Sequence, residues 1–189
     1  MNPLRTARET SRSPRIDDSD TDAHGSHLAA PQPHTDAELA ALLGLLTGHK
    51  PQIRAVAIGH SRDEASRTTA RAFADVWKTR GGTVLTVVDW PETAASWLRP
   101  ATRLTAETPD AWVIAAGVLG FAQLARRLRH STGWDPARTF AFSALNDPRL
   151  TALAGPDTLH GLRGATAAGD TWDVRNGWVA TYSPAGRTT

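Results

Sequence analysis

The sequence predicts an α/β fold: a three-layer, Rossmann-like parallel sheet of about five strands with helices on both faces, plus a C-terminal β-hairpin. Three observations carry this expectation. Between Ile53 and Asn146, short apolar runs alternate with amphipathic stretches at helical spacing, the pattern of βα units on a parallel sheet. The helical stretches bear one-sided stripes: Phe73, Val76 and Trp77 in one, and Phe121, Leu124, Ala125 and Leu128 in another. Near the end, Asn176-Gly177 stands between two β-rich runs, the strongest short hairpin signal in the chain. Right-handed crossovers then favour a strand order with the first strand in the interior.

Taken in order, residues 1–34 are poor in apolar side chains and rich in Ser, Asp, Arg and Pro, so they are expected to be a disordered tail without influence on stability. His24, His27 and His34 fall in this stretch. They read as part of a solvated tail, with a loose metal-binding group as the alternative. A single α/β domain is expected over 35–182, and a frayed terminus over 183–189. Thr35-Asp36-Ala37-Glu38 has the form of a capping box and opens a helix, Asp36–Leu46, that Gly48 ends. That helix is apolar nearly all round and must be buried against something.

The first strand is expected at Ile53–His60, with Ser61 as N-cap of a helix running to Arg80 and with Asp63 and Glu64 in its first turn. Gly81-Gly82 stops that helix before the second strand, Thr83–Trp90. A stretch from Pro91 to Thr108 leads to Pro109-Asp110 and the third strand, Ala111–Gly117. Helix Val118–His130 follows, with Arg126, Arg127 and Arg129 on its wet face. Gly133-Trp134-Asp135-Pro136 turns into a fourth strand, Thr139–Asp147. Asp147-Pro148 can start a short helix, Arg149–Ala154, and Leu159–Thr166 reads as a last strand before the hairpin.

Composition narrows the chemistry. The chain has 189 residues, enough for one domain with a proper core, and no cysteine, which excludes disulfides, thiolate metal sites and cysteine nucleophiles. Net charge is only +2 and the charges are scattered, so no nucleic-acid footprint is expected. Only two of the 21 basic residues are lysine (Lys50 and Lys78), and with abundant alanine this suggests a high-GC bacterium. No run is long and apolar enough for a membrane span or a signal peptide, and no lipobox cysteine is visible, so a cytoplasmic location is expected.

In parallel sheets of this kind, ligands sit outside the carboxyl ends of the strands. The loop Gly59-His60-Ser61-Arg62-Asp63 nearly matches the nucleophile elbow G-x-S-x-G, but a charged residue takes the place of the last glycine. Asp147 and His160 are the acid and histidine in suitable chain order for a serine hydrolase. The same loop lacks the glycine patterns of dinucleotide and P-loop sites. Trp90 can be a ligand platform or a core or lid residue, and Gly117 allows close approach to the backbone. Asn146 and Asp147 can meet a polar ligand or start the next helix.

Four stretches together carry a resemblance: Gly59-His60-Ser61-Arg62-Asp63, Trp77–Leu85 (WKTRGGTVL), Pro109–Gly117 (PDAWVIAAG) and Gly133–Ser143 (GWDPARTFAFS). Over Gln52–Ala168 the chain resembles one lobe of the type I periplasmic binding proteins, the solute receptors of branched-chain amino-acid and amide ABC transport systems. In that family the ligand lies between two lobes, against strand-end loops from each. The resemblance implies ligand contacts at His60 and Ser61 after the first strand, Trp90 after the second, Gly117 after the third, and Ser143 and Asn146 after the fourth. It implies no catalytic residue, no cofactor and no metal, so the chain is expected not to be an enzyme. A complete receptor has two lobes and is about twice this length. The expected function is non-catalytic binding or sensing of a small polar ligand, amino-acid-like or amide-like. The alternatives are a protein-interaction scaffold that has lost the ligand site, and a small serine-dependent α/β hydrolase. The apolar Leu39–Leu46 helix and Trp90 lack an obvious cover in a five-stranded domain, which predicts a homodimer or a partner protein.

Overall fold

A computed structural model describes residues 28–155 and 157–183 of the chain. Among them a seven-stranded sheet runs in the order β2-β1-β3-β4-β5-β6-β7. The strands are β1 (Ala55–Ser61), β2 (Thr83–Trp90), β3 (Ala111–Ala115), β4 (Thr139–Ala141), β5 (Arg163–Ala165), β6 (Thr171–Arg175) and β7 (Trp178–Tyr182). The five strands from β2 to β5 in this order pair parallel, and β6 and β7 pair antiparallel. The expected parallel sheet with its first strand interior is therefore present. Its hairpin does not stand apart but extends the same sheet from β5.

The helices are α1 (Asp36–Thr47), α2 (Glu64–Thr79), α3 (Leu98–Thr105), α4 (Val118–Ser131) and α5 (Pro148–Ala154). Side chains alternate across a strand, and the two apolar clusters divide accordingly. Val56, Ile58, Val113, Phe140 and Phe142 face one side and pack with Leu42, Leu43 and Leu46 of α1 and Phe73 and Trp77 of α2. Ala57, Trp112, Ile114, Ala141 and Trp172 face the other, under α3, α4 and α5. All five residues of β3 are buried, as a strand covered on both faces requires.

Local chemistry explains most boundaries. Gly81 takes φ 83°, a left-handed stop after α2, and the Gly82 amide donates to the Trp77 carbonyl. Asn176 and Gly177 have φ of 51° and 78°, as a two-residue type I′ turn needs. Arg54 and Ala55 donate their amides to the Asp110 carboxylate at 2.9 and 2.8 Å, clamping the entries to β1 and β3.

Several expectations need correction. Asp63, not Ser61, caps α2: its carboxylate accepts from the Ser66 amide at 2.8 Å, while Ser61 is the last residue of β1. The fourth strand stops at Ala141 and continues as a 3-10 turn over Ser143–Leu145, because the Ser143 amide turns to the Glu38 carboxylate instead of pairing in the sheet. The wet face expected of α4 is only partly wet: Arg129 is exposed, whereas Arg126 and Arg127 are half-buried and Arg126 donates to the Leu153 carbonyl at 3.4 Å. Trp90 is 1% exposed, and Leu42, Leu43 and Leu46 are buried as well, so the apolar surfaces thought to need a second copy are covered within the chain.

Packing also begins before Thr35. Leu28 lies against the core, and His34 approaches Thr69 and sets its ring edge-on to Phe142. His24, His27 and the rest of residues 1–27 lie outside the described residues, as does 184–189. No helix among the described residues is long and apolar enough to cross a membrane.

Two predictions follow from this packing. A Cβ on Gly59 would stand 2.7 Å from the Trp90 ring and 3.1 Å from Ile114, both buried, so Gly59→Ala should cost about 1–3 kcal/mol in urea unfolding. The Ala55 and Arg54 amides hold the Asp110 carboxyl below its ordinary value of 3.8. Its stabilisation is therefore full above that value and is lost as pH falls through the lower folded value. Asp110→Asn should cost about 1–2 kcal/mol at neutral pH and flatten the acid limb of a stability–pH profile below about pH 4.

Candidate functional site

The parallel strands deliver their carboxyl ends to one edge, where β1 pairs His60 with Asp89 and Ala115, and Ser61 with Trp90. Ser61 is fully buried there. Its hydroxyl donates to the Glu92 carboxylate and accepts from the Gly117 amide at 3.0 Å. The other Glu92 oxygen accepts from the Gly120 amide at 2.8 Å, in the first turn of α4. Helix N-termini present free N–H groups and partial positive charge, so a carboxylate is well placed here. Gly117 and Gly120 make room for it: a Cβ on either would stand 2.8–2.9 Å from a Glu92 oxygen. The helix-end anion position is thus filled by the chain's own Glu92.

A second group of residues closes the β3 and β4 ends. The Glu38 side chain is 1% exposed, and its carboxylate accepts from the Ser143 amide at 2.5 Å. Thr35 accepts from the Glu38 amide as a capping box requires, but the Glu38 side chain leaves the box to meet Ser143. Pro31, Gln32 and His34 lie over Ala115, Ala116 and Ser143, leaving a niche of about 10 Å³. That is room for one water molecule.

The expected ligand residues are distributed as follows. Ser61 and Gly117 are brought together, and Ser143 lines the niche beside Ala115 and Ala116. His60 is half-buried, with its Nδ1 at 2.7 Å from the Ser61 carbonyl. Trp90 is a core residue crossing bare Gly59, not an open platform. Asn146 closes the 3-10 turn, its amide donating to the Ser143 carbonyl. Sequence reasoning missed Glu92 and the covering segment Pro31–His34. Glu92 lies in a loop with no motif of its own; its only signal is the pair of glycines at 117 and 120. Glu38 was seen as a capping residue, and only its missing return to the Thr35 amide reveals the other partner.

The hydrolase alternative lacks its geometry. Ser61 is bound to Glu92 and Gly117, Asp147 forms a two-oxygen ion pair with Arg149, and the His160 ring nitrogen is 3.5 Å from the Asn176 amide. None of the three hydrogen bonds to another, so no triad is assembled. Among the described residues no group of three or more His, Asp or Glu side chains is placed to hold a metal ion.

Comparison with known structures returns this architecture. An extracellular ligand-binding receptor from Rhodopseudomonas palustris HaA2 superposes with a TM-score of 0.59 at 18% identity, over 71% of this chain and 36% of that one. A substrate-binding periplasmic protein from Ralstonia solanacearum gives 0.58 at 19% identity, over 71% and 37%. A leucine binding protein from Thermotoga maritima MSB8 gives 0.55 at 18% identity, over 66% and 35%. The chain thus spans little more than a third of each, and at these identities the likeness is one of fold. No curated protein matches the sequence significantly. Residues 11–186 match the periplasmic binding protein family, and the chain belongs to that family.

Proposed function

We propose that the chain is a solute-binding lobe of the kind used by ABC-transport receptors, holding a small amino-acid-like or amide-like ligand against its strand-end edge. Glu92 carries this reading. It is a half-buried carboxylate anchored by Ser61 and Gly120, and among the described residues it has no ion-pair partner. A carboxylate has about four acceptor positions, and the two bonds here leave room for an ammonium or amide N–H. The fold supports the reading, since ligands of such sheets gather at the carboxyl ends of strands.

Enclosure has to come from elsewhere. Small ligands usually lose most of their surface to the protein, and the niche beside Ser143 holds no more than a water molecule. A second lobe supplies the other wall. Displacement of the Pro31–His34 segment opens this one. The filled niche is also the observation that favours the second reading, a scaffold in which the fold survives and the segment has replaced the ligand.

Calorimetric titration with leucine, other amino acids and acetamide separates the two readings. Saturable binding that weakens about tenfold in Glu92→Gln, with the fold intact by circular dichroism, is the expected result, one charged hydrogen bond being worth roughly 1.5–3 kcal/mol. Binding that is indifferent to Glu92, or absent even when the Pro31–His34 segment is deleted, would sink the solute-binding reading. Sedimentation of the same samples reads whether a second copy supplies the missing wall; a monomer that still binds would exclude that arrangement.

A further inference from the structure

A different groove, of about 290 Å³, opens beside the end of β2 and the start of α3. Its wall includes Arg62, Asp89, Trp90, Trp97, Arg99 and Arg103. Of the strand-end residues discussed above, Asp89 and Trp90 reach it.

The wall is rich in donors and short of acceptors. Three guanidinium groups, each with five N–H donors and no acceptor, face one carboxylate. That carboxylate is already engaged: Arg62 binds Asp89 at 2.5 Å and holds its carboxyl below the ordinary carboxylate range. Arg99 and Arg103 are exposed and have no ion-pair partner among the described residues.

The helix that begins here adds to the imbalance. Trp97 occupies the N-cap of α3 without a side-chain cap, and no acidic residue lies in the first turn. The Leu98 amide finds only the Ser96 hydroxyl, at 3.4 Å. The Arg99 amide, one residue further, belongs to the set that a helix leaves without an internal partner.

Independently, the indole N–H groups of Trp90 and Trp97 are buried and have no acceptor, although the residues are 1% and 3% exposed. A buried donor left unpaired costs about 1–3 kcal/mol, and native interiors seldom tolerate it. Both indoles are sealed behind the wall, so a ligand oxygen reaches them only after the loop 91–97 shifts. Arg99 and Arg103 are exposed as the groove stands.

We propose that this groove is a binding site for a small oxyanion-bearing ligand, carboxylate or phosphate, seated on Arg99 and Arg103 at the N-terminus of α3. Two guanidinium groups and a helix end supply charge-assisted hydrogen bonds, and Pro91, Ala94 and Pro100 in the wall receive an apolar body. The volume restricts the ligand to the smallest class that such pockets hold.

The test uses the full chain in low-salt buffer free of phosphate, with inorganic phosphate and succinate titrated separately by calorimetry. One-site saturation by phosphate alone identifies a tetrahedral oxyanion, and by succinate alone a carboxylate; either supports the site. The Arg99→Gln/Arg103→Gln double variant should bind about tenfold more weakly. Arg71→Gln, an exposed arginine on α2 outside the groove, should bind as the parent does. Because the double substitution is at exposed positions, its melting temperature should match the parent's. Should it not, Trp97→Phe serves in its place, read as a smaller change in indole emission on binding. Failure of both probes to saturate overturns the proposal. So does equal weakening by Arg71→Gln, which would indicate general surface screening.

Discussion

Parallel pairing makes a demand that antiparallel pairing does not: each strand must return to the starting end before the next can begin. The chain makes this return between each pair of consecutive strands from β1 to β5, and the crossovers place α2 on one face of the sheet and α3, α4 and α5 on the other. Both faces are then covered, so the interior strands can be apolar without alternation, as Ala111–Ala115 is. The same return gathers the strand ends at one edge. Ser61, Glu92 and Gly117 are far apart in sequence and meet only because the strands they follow or end share a direction.

At that edge, small residues and buried polar groups depend on one another. Gly59 lacks a side chain because the Trp90 ring occupies the space, and Trp90 then closes the end of β2 over β1. Beyond it the chain turns through Pro91 and sets Glu92 against the start of α4. Gly117 and Gly120 admit its carboxylate, and Ser61 fastens it to β1. Around Glu92 the Ser61 hydroxyl and the Gly117 and Gly120 amides each have an acceptor, which is the condition for keeping polar groups in a low-dielectric setting. The arrangement joins three segments through one side chain.

What could be read in the sequence was what depends on local pattern. The second strand, the hairpin turn at Asn176-Gly177 and the start of α4 after Gly117 all follow from periodicity, glycine and turn chemistry within a few residues. What could not be read depends on partners distant in sequence. Ser61 has the composition of a helix cap, and only a contact 31 residues away makes it a strand residue bound to Glu92. Glu38 satisfies the spacing of a capping box, yet its carboxylate serves a backbone amide 105 residues further on. Trp90 and α1 look uncovered in the sequence because their cover is non-local: Trp90 packs in the cluster under α3 and α4, and Leu42, Leu43 and Leu46 pack with Phe73, Trp77 and the sheet. Pro31–His34, which periodicity does not describe and whose composition alone marks it as solvated, lies instead over Ala115, Ala116 and Ser143.

The two concave regions have opposite polarity. The strand-end edge holds two carboxylates, buried Glu38 and half-buried Glu92, that accept from neutral donors. The groove by α3 presents guanidinium groups, an uncapped helix end and orphaned indole donors. Trp90 belongs to both neighbourhoods: its backbone pairs with Ser61, and the residue borders the groove. A cationic group is therefore favoured on one side and an anionic group on the other. Movement of the loop 91–97 would alter both, because Glu92 and Trp97 are carried on it. Coupling between them needs no long pathway. A single loop of seven residues, with no regular secondary structure, holds the acceptor of one region and a donor of the other.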